Sequence, residues 1–124
     1  MAYTKQISNF ITNLLVSAGQ SSILGSSYSL DLTGAVQFAV TMQCSGPAKA
    51  SGTLTCNIFT SVDNSTYDTT AYAKFNLTML SAGGDHRFTV PLMPDAKYYK
   101  ATVTNNLTSG YNPDLISVIS TVQQ

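Results

Sequence analysis

Tyr28-Ser29-Leu30-Asp31-Leu32-Thr33-Gly34-Ala35-Val36-Gln37-Phe38-Ala39-Val40-Thr41-Met42-Gln43-Cys44 alternates with a period of two. Tyr28, Leu30, Leu32, Val36, Phe38, Val40, Met42 and Cys44 fall in one phase. Ser29, Asp31, Thr33, Gln37, Thr41 and Gln43 fall in the other. Side chains of an extended chain point alternately to its two sides, so this stretch predicts a half-buried antiparallel sheet with the even positions inward. Gly34 marks a bend that splits it into two strands.

Downstream the pattern repeats in short runs. Ser45 to Gly52 reads as a loop by its glycines and Pro47. Leu54, Cys56 and Ile58 then alternate with Thr53, Thr55 and Asn57, predicting a strand that returns beside the first. Residues 61–68 are turn-rich, Phe75, Leu77 and Met79 make a further strand, and Ala82-Gly83-Gly84-Asp85 turns the chain. Phe88, Val90 and Leu92 follow before a break at Pro91 to Pro94. Tyr99, Ala101 and Val103 form another strand, and Ile116, Val118 and Val122 close the domain. Seven or eight short strands with turns every ~8–12 residues are the signature of an all-β fold. The expectation is an antiparallel β-sandwich of jelly-roll or Greek-key type over residues 28–124.

Residues 1–27 read differently. Ile7, Phe10, Ile11, Leu14 and Leu15 lie at i, i+3, i+4, i+7 and i+8, one face of a helix. Ser8, Asn9, Thr12 and Asn13 between them are poor helix formers. The segment is either a short helix or first strand packed on its own domain, or an arm whose apolar face docks on a neighbouring subunit. A Ser/Gly-rich loop at 17–29 follows.

The chain has 124 residues, enough for one domain that buries a core without metal or disulfide. Charged residues are 10% of it, Glu is absent, and six Lys and Arg balance six Asp. A nucleic-acid binder shows a basic stripe; here Lys5, Lys49, Lys74, Arg87, Lys97 and Lys100 are scattered. Zero net charge and a weakly charged surface favour association, so a homo-oligomer or larger assembly is expected. No apolar run reaches the ~18–20 residues of a membrane span. The N-terminal residues lack the pattern of a secretory signal, which points to synthesis in the cytoplasm. Sequons occur at Asn64, Asn76 and Asn106, where chance alone would give about two, and are read as noise.

Chemistry-bearing groups are few. Cys44 and Cys56 share the apolar phase of strands read as hairpin neighbours. A cross-strand disulfide and a pair of buried free thiols are the alternatives, the latter favoured without export. The lone His86, between Asp85 and Arg87 after a Gly-Gly turn, reads as a solvated turn residue, and neither it nor Ser81 completes a triad. Asp63, Asn64 and Asp68 could offer oxygens to calcium, yet Asx-rich turns arise for backbone reasons alone. No catalytic residue, metal or cofactor is expected. Tyr67, Tyr72, Tyr98, Tyr99 and Tyr111 could fill the core, an interface or a sugar site. Tyr98 and Tyr99 must face opposite sides, so one is outward.

The stretch 30–103 resembles a family of small β-sandwich domains from tailed-phage virions. The resemblance is carried by Val36-Gln37-Phe38-Ala39-Val40, by the strand from Thr53 to Phe59, and by the turn Ser61-Val62-Asp63-Asn64-Ser65-Thr66-Tyr67. Phe88-Thr89-Val90-Pro91-Leu92 and Lys97-Tyr98-Tyr99-Lys100-Ala101-Thr102-Val103 complete it. In that turn Asn64 stands at a usual Gly, which costs little because Asn tolerates the left-handed conformation, and Tyr67 stands at a usual Trp. The resemblance implies a virion protein that decorates (cements) a capsid, or a head fibre, frequently as a trimer. Its partners would be the major capsid protein or other virion proteins. The other reading is a receptor- or glycan-binding module of a tail or head fibre, which requires outward aromatics clustered on one face. Ile7, Phe10, Ile11, Leu14, Asp63, Asn64, Tyr67 and Tyr98 are the candidate contact residues.

Overall fold

The computed structural model describes residues 5–46, 52–80, 82–107 and 113–124, with Asp114 described by its backbone alone. Ser81, Tyr111 and most of the loop after Gly46, with Pro47 and Lys49, lie outside the described residues. Eight strands follow in order: β1 (Lys5–Leu14), β2 (Leu30–Asp31), β3 (Gln37–Gly46), β4 (Thr53–Ser61), β5 (Ala73–Thr78), β6 (Gly84–Leu92), β7 (Tyr98–Asn105) and β8 (Asp114–Gln123). Between β1 and β2 runs one 3₁₀ turn, Leu24–Ser26.

The strands form two four-stranded sheets, β1-β8-β3-β6 and β2-β7-β4-β5, with every pair antiparallel. Within them β1 lies on β8, β2 on β7, β3 on β6 and β4 on β5. That is the pairing of one long ribbon folded back on itself and rolled up. The fold is therefore a jelly roll, the all-β sandwich expected from the sequence resolved into one topology.

Strand-to-strand alternation survives almost intact. Phe38, Val40, Met42 and Cys44 of β3 face Leu54, Cys56 and Ile58 of β4 and Tyr99, Ala101 and Val103 of β7 across one core. Ile116, Val118 and Val122 of β8 complete it. Phe38 and Tyr99 meet edge to face at 5.0 Å, tying the two sheets together. Gly34, at φ 81°, makes the bend between β2 and β3. The inward phase fails at Tyr28, 73% exposed, and at Val36, because neither lies within a strand.

Three expectations are corrected. Of the alternatives for residues 1–27 the first strand holds and the helix and arm do not: residues 5–14 form β1, an edge strand of the first sheet, so the sandwich starts well before residue 28. Phe10 and Ile11, 2% and 1% exposed, are both inward because a register shift between Asn9 and Ile11 places two consecutive side chains on one side. A second shift before Leu14, with Asn13 at φ 49°, stretches the spacing again. Two irregularities in one strand thus imitate a helical period. β3 and β4 are not hairpin neighbours either; they lie in opposite sheets, and Cys44 and Cys56 are free, buried thiols. Finally, His86 is buried, because it pairs with Cys44 in the inward phase of β6.

Candidate functional site

The apolar quartet assigned to an arm divides. Phe10 and Ile11 are consumed by the protein's own core, Leu14 packs half-buried against it, and Ile7 alone projects to solvent at 74% exposure. Its surroundings follow from the register. Ile7 pairs with Thr121, Thr121 with Ala39, and Ala39 with Pro91, a row across all four strands. The next row is Asn9, Ile119, Thr41 and Thr89. All eight side chains are half-buried or exposed and none is charged. On this face Thr41 and Thr89 bond to each other through their hydroxyls at 2.7 Å.

Charge appears at the ends of this face. Lys5 stands at one end, on a shallow groove of about 340 Å³ shared with Gln37, Ala39, Pro91, Met93 and Thr121. At the other end an open groove of about 470 Å³ runs between Asn13, Gln43, Asp85, Arg87 and Leu115. There Arg87 Nε donates to Gln43 Oε1 at 3.1 Å.

The remaining candidates gather on the outer surface of the second sheet. Asp63 Oδ1 accepts from the amides of Ser65 (2.9 Å) and Thr66 (3.0 Å) and from the Ser61 hydroxyl (2.9 Å). These bonds hold its carboxyl below the usual carboxylate range. Asn64 takes φ 61°, the left-handed geometry anticipated for that position. Its Oδ1 accepts from the Tyr67 hydroxyl at 2.6 Å, and its Nδ2 donates to Ser29 Oγ at 3.2 Å. Asp68 Oδ2 accepts from Thr60 Oγ1 at 2.8 Å. Asp63, Asn64 and Asp68 each accept a protein hydrogen bond through one side-chain oxygen, and among the described residues no group of three His, Cys, Asp or Glu could hold a metal.

Tyr67 and Tyr98 do come together with this turn. Lys100 Nζ lies 5.2 Å from the Tyr67 ring centre and Lys97 Nζ 5.1 Å from that of Tyr98. Tyr98 is opposite Ser61, and Lys100 is opposite Phe59, so Phe59, Tyr67 and Tyr98 share one outward surface. Phe59 was detectable in the sequence as an apolar residue in the polar phase of β4. The two lysines were not, since only the register places them against rings. Tyr72 and Tyr99 belong elsewhere: Tyr99 is a core residue, and both hydroxyls donate to the Met93 carbonyl, at 3.0 Å from Tyr72 and 3.1 Å from Tyr99.

His86 and the thiols are engaged in structure. The Leu80 amide donates to His86 Nε2 at 2.9 Å, so the ring proton sits on Nδ1 and bonds the Gly84 carbonyl at 2.8 Å. The imidazole thereby bridges the Gly-Gly turn. Burial raises the Cys44 thiol to about 11 and pushes Cys56 higher still, which leaves both as thiols at neutral pH.

No family model matches the chain, and no curated protein does. Among solved structures, dimeric latent PorU from Porphyromonas gingivalis superposes on the whole of this chain with a TM-score of 0.58 at 9% identity. The chain spans 13% of the PorU chain's length. Eiger TNF from S. frugiperda matches the whole chain and 94% of its own length, at 13% identity and a TM-score of 0.48. The likeness to PorU is one of fold alone.

Proposed function

We propose that this protein is a structural, non-catalytic subunit of a virus particle that decorates a capsid shell and attaches through the outer face of its first sheet. The observation that carries the reading is the pair of uncharged rows, Ile7-Thr121-Ala39-Pro91 and Asn9-Ile119-Thr41-Thr89. Interface centres are depleted of charged residues, as these two rows are. Two considerations support it. The motifs within 30–103 resemble virion β-sandwich domains, and jelly rolls are a common architecture of viral capsid proteins, an analogy at the level of fold. The one histidine and both thiols are engaged in packing and turn bonding, which leaves them out of chemistry.

The test mixes purified protein with undecorated shells. Binding should be saturable and stoichiometric, and Ala39→Lys or Thr121→Arg in the centre of the face should abolish it. Lys74→Ala, on the outer surface of the second sheet, should leave it unchanged. Shells that bind neither wild type nor variants would end this reading.

A second reading has its own observation. Phe59, Tyr67 and Tyr98 cluster on one outward surface, the arrangement a glycan-binding module requires. Binding to a glycan panel that is lost in Tyr67→Ala, in a protein that ignores shells, would reverse the order of the two.

A further inference from the structure

The four edges of the two sheets are not equally protected. An edge strand exposes unpaired backbone donors and acceptors, and soluble proteins blunt such edges with charge, proline, bulges or short length. β6 carries Asp85, Arg87 and Pro91, and β2 has two residues. β5 has six residues and a single charge, and its outward side chains, Lys74, Asn76 and Thr78, are all polar. β1 differs along its first half by presenting an exposed apolar side chain, Ile7. Residues 5–9 pair regularly with β8 on one side, contain neither proline nor glycine, and hold a single charge at Lys5. The second half of β1 is already covered: Tyr28 N donates to the Phe10 carbonyl at 2.8 Å, and Gly25, Ser26, Ser27 and Tyr28 line a cleft against Ile11, Thr12 and Leu14.

We infer that the open half of β1 pairs antiparallel with the same segment of a second copy of this chain, about a two-fold axis at Ile7. What fits an open strand edge is another strand, and three features make a second copy the occupant. In the register centred on Ile7, Gln6 meets Ser8 of the other copy and Lys5 meets Asn9, so no like charges oppose each other. Ile7, 74% exposed in the single chain, meets its own counterpart and covers it. The formal net charge of zero leaves no long-range repulsion between copies. A two-fold contact of one patch with itself also closes, giving a dimer rather than a growing ribbon. Two first sheets then become one eight-stranded sheet, which sets two uncharged outer faces side by side. This predicts a dimer, where the family resemblance alone implies a trimer.

The experiment uses the full chain and no shell, so its outcome is independent of the capsid reading. Sedimentation equilibrium over a wide concentration range should give a species of twice the 13.2 kDa chain mass. Paired residues of antiparallel strands have Cα atoms ~4.5–5.5 Å apart, within disulfide reach. Ile7→Cys should therefore form a covalent dimer under mild oxidation. Proximity at the axis is worth millimolar effective concentration, so at micromolar protein it should cross-link at least about tenfold faster than Val62→Cys, whose side chain is also exposed. The native thiols are buried and add no background. Ile7→Lys places two ammonium groups on the axis and should return a folded monomer, as read by circular dichroism and sedimentation together. A wild type that stays monomeric or sediments as a trimer overturns the inference. So does a dimer that survives Ile7→Lys, or cross-linking through residue 7 no faster than through residue 62.

Discussion

Asn105 has a fully buried side chain whose two ends are both used. Its Nδ2 donates to the Val16 carbonyl at 2.7 Å, and its Oδ1 accepts from the Leu107 amide at 2.9 Å. Its backbone meanwhile accepts from Gly19 at 2.7 Å and donates to Gln20 at 2.9 Å, so one residue fastens the loop after β1 to the end of β7. Asn105→Ala would leave a buried carbonyl and a buried amide unpartnered, and each such loss costs about 1–3 kcal/mol. Chemical denaturation should register a destabilisation of about 2–4 kcal/mol. In the sequence Asn105 is an ordinary strand terminator, because its partners on the loop after β1 are remote, Val16 being 89 residues away along the chain. His86 is misread for a different reason: it continues the even phase of Phe88, Val90 and Leu92, but the adjacent Gly-Gly turn reads as including it, whereas β6 begins at Gly84 and pairs His86 with Cys44. Tyr72 gives a prediction in pH. Burial and the nearby Asp95, whose Oδ2 accepts from its hydroxyl at 2.9 Å, raise the phenol to about 12. The unfolded phenol ionises near 10, so between pH 10 and 12 the unfolded chain has released a proton that the folded chain keeps. This contribution to stability is complete below pH 10 and falls as pH rises from 10 to 12. Denaturation midpoints measured across that window should fall less steeply in Tyr72→Phe than in wild type.

At the scale of elements, β1 shows where periodicity misleads. The spacing Ile7, Phe10, Ile11, Leu14 satisfies a helical template, yet Asn, Ser and Thr weaken a helix, the β-branched Ile and Thr favour extension, and the residues sit in a strand with two register shifts. The regular strands were legible because nothing interrupts their period: β3, β4 and β7 each bury three or more alternate residues. The structure turns the ambiguity into a contrast between neighbouring side chains. Phe10→Ala removes a ring from the core and should cost about 3–5 kcal/mol in thermal or denaturant unfolding. Ile7→Ala, read in dilute solution, should change stability by no more than about 0.5 kcal/mol. Comparable losses from both would mean that Ile7 is not the outward residue of this strand. Deleting residues 1–15 should unfold the domain, since it removes an entire strand with its pairing to β8, whereas a detachable arm would leave the sandwich folded.

At the scale of the molecule, local reading fails on connectivity rather than on strands. The strands carrying Cys44 and Cys56 read as a hairpin, but in the rolled ribbon the chain crosses between sheets at every connection except that from β4 to β5, and of the consecutive strands only those two are paired. Contact between outward residues such as Ile7, Thr121, Ala39 and Pro91 exists only in that global register, which is why neither the uncharged face nor the Phe59–Tyr67–Tyr98 cluster could be assembled from the sequence. The same topology constrains how the molecule opens. Cys44 lies in the first sheet and Cys56 in the second, both facing one shared core. In the native state neither is available as a thiolate, because each is buried and its ionisation is pushed upward. Alkylation at pH 8 must then wait for the structure to open. If the two sheets are one cooperative unit, both cysteines should be modified at rates reporting the same opening free energy, equal to that from global denaturation. Mass spectrometry of partly labelled protein would show molecules carrying two labels or none when alkylation of the open state is faster than reclosing, and equal site occupancy otherwise. Faster labelling of Cys44 alone would show that the β5–β6 side of the sandwich, where Phe75 and Phe88 make an edge contact at 6.0 Å, opens without the rest.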